Sequence, residues 1–134
     1  TAISNAERAM MANQAGADML LRIHANGSED PSASGALALV PSAGNAYVGN
    51  LSAQSASLAQ TILDAYCRAT GMANLGIQYN DTMTGINWSK QPVVILEMGF
   101  MTNEKDDMAM ADEAFRQTMA EGIAEGVEAY FNAG

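Results

Sequence analysis

Basic side chains are scarce in this sequence. Six Lys and Arg stand against fifteen Asp and Glu, a formal net charge of −9 at pH 7. Neutralising nucleic-acid phosphates needs a basic face, so no nucleic-acid partner is expected, and an anionic membrane surface is disfavoured for the same reason. Cysteine occurs once, as Cys67, which excludes an internal disulfide. With no companion at metal-ligand spacing, it also excludes a cysteine zinc site. Cys67 falls inside a helical pattern and reads as a small core residue. No apolar run approaches the roughly 20 residues that span a bilayer. No signal peptide opens the chain, which begins at Thr1 without a methionine; removal of an N-terminal segment is the expectation. Repeats, linkers and low-complexity tracts are absent.

What is present is a chain of 134 residues, 49% of them hydrophobic. That composition excludes disorder and suits a single domain over residues 1–134 with one core. Ser4 and Glu7 form a capping-box pattern that opens a helix over residues 4–15, with Gly16 placed to end it. A strand follows over residues 17–26, then a polar loop over 27–35. That loop reads equally as one wall of a groove or as a solvated connection. Residues 36–40 form a further strand, closed by Pro41. Leu58, Ile62, Ala65 and Ala69 share one face of a helix over residues 52–70, which Gly71 ends. Residues 75–79 are a weaker strand candidate. The long loop over 80–91 carries Trp88, the single tryptophan, which is either a packed anchor or a platform for a sugar or peptide face.

The organising stretch runs from Pro92 to Asn103. Its unbroken apolar run, Val93-Val94-Ile95-Leu96, reads as a strand buried on both faces. A carboxylate, Glu97, stands at the C-terminal end, and Gly99 is expected to permit a sharp turn after it. The last helix covers residues 112–131, with Phe115, Met119, Ile123, Val127 and Tyr130 as its buried stripe. Gly122 and Gly126 weaken that helix by roughly 1 kcal/mol each relative to alanine, and their expected return is close approach to the sheet. The glutamates on the same helix read as a solvated face.

Two strands end in groups able to do chemistry. The 17–26 strand runs into His24, the single histidine, and the strand from Pro92 runs into Glu97. If the strands are parallel, both side chains stand on one rim, and open α/β sheets bind ligands outside the carboxyl ends of their strands. Taken singly, a lone histidine is a satisfied core residue, and a lone glutamate is the partner of an arginine at the sheet edge.

The paired motifs resemble a known family. Ala17-Asp18, then after four intervening residues Ile23-His24-Ala25-Asn26, and downstream Pro92, Glu97, Gly99-Phe100 and Thr102-Asn103 are similar to the zinc-dependent N-acetylmuramoyl-L-alanine amidases. These enzymes cut peptidoglycan between the lactyl group of muramic acid and the first alanine of the stem peptide. Arg8 and Asn13 match the helix before the histidine strand, and Gly122, Ile123, Gly126 and Tyr130 match the closing helix. The resemblance implies an α/β fold with a mainly parallel, twisted sheet between helices. It implies zinc as cofactor, His24 as a zinc ligand and Glu97 as general base. Asn26 and Trp88 become candidate substrate-binding residues, and Arg8 a structural ion-pair partner near the site. It further implies a bacterial, secreted or wall-associated peptidoglycan hydrolase of autolysin type.

One departure from the family pattern shapes the reading. The family's ligand set is His-Glu-His, with its first histidine in a Gly-His-Gly-Gly turn and its glutamate opening the next helix. Neither element occurs here, so that set cannot be assembled from this chain alone. About the first third of the family domain, including its N-terminal strands, is expected to be missing. Two consequences are expected: weak or no zinc binding by this chain, and either self-association or a complementing N-terminal segment. The alternative is a non-catalytic peptidoglycan-binding or regulatory domain of the same fold. A third reading is a generic acidic α/β domain in which His24 and Glu97 are structural.

Overall fold

The computed structural model describes residues 2–133. Helix α1 (Asn5–Gln14) opens on the full capping box: Ser4 Oγ accepts from the Glu7 backbone N–H, and Glu7 accepts from that of Ser4. Strand β1 (Leu20–Asn26) follows, then β2 (Ala36–Val40). A 3-10 turn (Gly49–Leu51) leads into the long helix α2 (Ser52–Thr70). Gly71, at φ 75°, ends α2 in the left-handed conformation that glycine tolerates best. Strand β3 (Asn74–Tyr79), the short helix α3 (Thr84–Asn87) and strand β4 (Val93–Phe100) come next. Helices α4 (Glu104–Ala111) and α5 (Glu113–Asn132) close the chain. No helix among the described residues is long and apolar enough to cross a membrane.

The described strands form one sheet in the order β1-β4-β2-β3. β1 pairs parallel with β4 and β2 parallel with β3, while β2 and β4 run antiparallel. The sheet is therefore mainly parallel, with one antiparallel junction at its centre. Alternation along β4 sorts its side chains. Val94 and Leu96 join the larger core under α2 and α5. Val93 and Ile95 join a smaller core on the other face, closed by Val48, Leu51 and Ile86. Seven of the eight β4 residues are buried, as the apolar run requires of a central strand.

Three expectations need correction. Gly99 lies inside β4 rather than at a turn; the chain turns at Met101 and Thr102. Its missing side chain matters for packing, since a Cβ there would lie 2.7 Å from Met72 Cε and 3.2 Å from Met110 Sδ. Gly122 and Gly126 approach α2 rather than the sheet: a Cβ at Gly126 would lie 2.6 Å from Ile62 Cα, and one at Gly122 3.1 Å from Tyr66 Cα. The segment between Gly99 and the last helix holds α4, a separate helix capped by Asn103, which the sequence reading leaves out.

Candidate active site

The parallel ladder between β1 and β4 runs in step from Leu20↔Val93 to His24↔Glu97. Both side chains therefore reach the C-terminal rim on the same face. His24 Nδ1 and Glu97 Oε1 lie 3.8 Å apart, beyond hydrogen-bond distance. Glu97 is held between His24 on β1 and Leu37 on β2. It is only 8% exposed, and its Oε2 is buried without a hydrogen-bond partner.

The two groups are tuned away from ionisation. Burial raises the Glu97 carboxyl above its ordinary range. Burial first, then the positive charges of Arg22 and Arg8, lower the His24 imidazole. Their approach is therefore not a salt bridge at neutral pH. A neutral imidazole is the form that ligates metals, and a carboxylate raised toward neutrality is the form suited to proton transfer.

Arg22, which the sequence reading passes over, shares this face. It lies two residues before His24 on β1, so alternation points both side chains the same way. It is 7% exposed, and its Nη2 donates to Asn5 Oδ1 at 2.6 Å. A Cβ at Gly85 would collide with its Nη1, so the glycine of α3 makes room for the guanidinium. Arg8, expected in an ion pair, has no carboxylate partner among the described residues. It donates instead to the same Asn5 oxygen at 3.2 Å.

Asn26 lies just beyond His24, where the ladder slips and it pairs with Phe100. Its Oδ1 accepts from the backbone N–H of Gly27 at 2.9 Å, so it shapes the exit of β1 beside the rim. The 27–35 loop is fastened there: Ser28 N donates to Thr102 Oγ1 at 3.1 Å, and Asn103 Nδ2 donates to the Pro31 carbonyl at 3.1 Å. Asp106, also absent from the sequence reading, locks its far end. That buried carboxylate accepts from Ser34 Oγ at 2.7 Å, Gly35 N at 3.0 Å and Phe100 N at 3.0 Å. The loop is thus fastened at both ends, while Glu29, Asp30, Pro31 and Ser32 in its middle are exposed.

Trp88 is not brought to this rim. It follows α3 and precedes β4, so it stands at the entry end of the strand whose exit carries Glu97. Val93 and Glu97 alone are separated by roughly 13 Å of strand. Trp88 is 54% exposed and lines a separate cleft with Tyr47, Thr84 and Asn87. Asn13 holds its loop, donating to the Trp88 carbonyl at 2.8 Å and accepting from Lys90 N at 2.9 Å.

A zinc ion that activates water takes three protein ligands and keeps one open position. Among the described residues no three of His, Cys, Asp and Glu cluster closely enough to hold a metal. His24 and Glu97 offer one imidazole and one carboxylate, which do not make such a site by themselves.

Comparison with known proteins matches this geometry to one family. The profile of a family described as N-acetylmuramoyl-L-alanine amidase matches residues 1–129. The uncharacterised protein YqiI of Bacillus subtilis is 31% identical over 126 residues, covering 94% of this chain and 57% of YqiI. The probable cell wall amidase LytH of Staphylococcus aureus is 30% identical over 77 residues, 58% of this chain and 26% of LytH. The crystal structure of an N-acetylmuramoyl-L-alanine amidase from Clostridium difficile 630 superposes with a TM-score of 0.85 at 28% identity, over 98% of this chain and 67% of that one. The chain thus spans little more than half of YqiI and about a quarter of LytH. A profile match over nearly its whole length, on a fold that superposes throughout, shows that this chain belongs to the N-acetylmuramoyl-L-alanine amidase family.

Proposed function

We propose that the chain is the C-terminal portion of a peptidoglycan amidase domain, acting at the bacterial cell wall on the amide between N-acetylmuramic acid and L-alanine. The observation that carries this is the register pair His24↔Glu97 at the exit of two parallel strands, in a chain of this family. Glu97 is the general base: it takes a proton from the attacking water and returns it to the departing amine nitrogen as the C–N bond breaks. Its burial and raised pKa support that role. His24, neutral and one-third exposed at the side chain, is one ligand for the zinc that the family resemblance implies. Zinc, when bound, supplies a Lewis acid and an acidified water, and its other protein ligands come from outside the described residues. LytH, named as a probable cell wall amidase, supports the wall as the place of action.

The test uses a longer protein that supplies the remainder of the family domain. Glu97→Gln is expected to lower muramoyl-peptide cleavage by about 10²–10⁴-fold while zinc content stays unchanged. His24→Ala is expected to lose both. Loss of zinc in Glu97→Gln would make that residue a ligand and reverse the roles. The second reading is a non-catalytic wall-binding or regulatory domain, favoured by the lack of a three-donor cluster among the described residues. A zinc-free, inactive longer protein that still binds peptidoglycan would establish it.

A further inference from the structure

Two of the six basic side chains meet at one neutral oxygen. Arg22 Nη2 and Arg8 Nη1 both donate to Asn5 Oδ1, at 2.6 and 3.2 Å. Neither arginine has a carboxylate partner among the described residues, although the chain carries fifteen acidic side chains. Arg22 is 7% exposed, and its Nη1 is buried with no hydrogen-bond partner. A guanidinium cannot shed its proton to escape this, and a buried charge without a counter-ion is strongly unfavourable. Both arginines line one cleft of about 550 Å³, together with His24, Ile3, Met11 and Leu20.

The shape of the pair selects the anion. Guanidinium forks match the planar, two-oxygen carboxylate, and the Asn5 amide oxygen already holds the place of one such oxygen between them. The apolar walls suit a carboxylate carried on an organic chain better than a free inorganic ion. We propose that Arg8 and Arg22 form a carboxylate-binding subsite beside His24. It receives an acidic group either of the peptide substrate, which rests on the amidase reading, or of another segment of the polypeptide, which does not.

Thermal melts of this chain at constant ionic strength test it, with sodium chloride, acetate, N-acetylglutamate and inorganic phosphate as the probes. Acetate and N-acetylglutamate are expected to raise the melting temperature saturably above the chloride value. Their apparent affinity should fall by at least about tenfold in Arg22→Met and in Arg8→Gln, as loss of a charge-assisted contact implies. Arg8 is exposed, so its variant keeps the test open if Arg22→Met fails to fold. Asn5→Asp places a carboxylate at the shared oxygen. It should raise the melting temperature and abolish the acetate response. An acid in the first helical turn gains something from the helix terminus alone, so the gain must be larger in the wild type than beside Arg8→Gln. Equal gains in both backgrounds, identical melts in acetate and chloride, or a phosphate response as large as that to acetate would each overturn the proposal. Repeating the titration on the longer protein separates the two sources. A retained response marks a subsite open to substrate, and a lost one marks a carboxylate of the polypeptide already bound there. Because melting reads binding alone, an inactive protein that keeps the response refutes the amidase reading and leaves this subsite standing.

Discussion

His24 and Glu97 are register partners on adjacent parallel strands, and their nearest polar atoms, Nδ1 and Oε1, lie 3.8 Å apart without joining as an ion pair. Each is pushed toward its neutral form by its surroundings. An imidazole and a carboxylate that are not paired with one another are free to engage a third group placed between them, which the members of a structural salt bridge are not.

Holding Glu97 this way costs stability. Its folded pKa lies above the ordinary value near 4.5, so in that range the folded chain binds more protons than the unfolded one. Its contribution to stability is full below pH 4.5 and is lost as pH rises through the folded value. Glu97→Gln removes the titration. The variant should be more stable than wild type at pH 7, because a neutral amide costs less to bury than a charged carboxylate. The difference should shrink toward pH 4. Urea melts across that range check it, and a variant less stable at pH 7 would show that the carboxylate is paired after all.

Cys67 should be inert. Burial raises its thiol to about 11, leaving roughly one thiolate in a thousand at pH 8. In the folded chain, reaction with a disulfide reagent should therefore be slower than with a free thiol by two orders of magnitude or about that. In denaturant it should be complete at once. Fast labelling of the native chain would place Cys67 outside the core.

The contact between α2 and α5 is set by two glycines. Alanine at 126 gains about 1 kcal/mol of helix propensity, but its Cβ would meet Ile62 Cα at 2.6 Å, and backbone cannot rotate away. Overpacking of this kind costs about 1–3 kcal/mol. Gly126→Ala should therefore destabilise, and a stabilised variant would mean that the helices separate freely.

Much of this was legible in the sequence, for local reasons. The Ser4 and Glu7 box, Gly71 at the end of α2, and the apolar run of β4 are signals carried by neighbouring residues, and each marks its element within a residue or two. The His24 and Glu97 pair was legible because two strands of one polarity end in the two groups. The rest depended on distant partners. Gly126 announces a close approach but not that Ile62 is what it approaches. α4 buries a carboxylate in place of an apolar stripe, so no periodicity betrays it. Alternation along β1 puts Arg22 on the face of His24, yet its burial depends on Gly85, more than sixty residues away. Trp88 precedes the strand whose far end carries Glu97, so chain order alone separates the two.

Asp106 ties the rim together. Its carboxylate accepts from two buried backbone N–H groups, of Gly35 and Phe100, and from Ser34 Oγ. Asp106→Ala leaves both N–H groups without acceptors, at about 1–3 kcal/mol each. A loss of about 3 kcal/mol or more in a denaturant melt is expected. Asp106→Asn, which keeps one acceptor oxygen, should lose less.

The outer edge of β1 gives the last prediction. Among the described residues β1 pairs only with β4, leaving its other edge free. Ile23, on the α5 side of that edge, is 48% exposed. Beside it runs a groove of about 410 Å³ lined by Met98, Met119 and Ile123. A free strand edge next to apolar side chains is a template for pairing with another chain. This 134-residue chain should therefore self-associate at high concentration and bind a hydrophobic dye. Ile23→Lys puts a charge on the edge without disturbing the buried faces of β4, so it should shift the chain toward monomer and lower dye binding with little change in stability. Sedimentation of both proteins over a range of concentrations decides it. A wild-type chain that stays monomeric and dye-free would mean that the edge needs no cover, and would remove the main structural argument that a complementing segment belongs there.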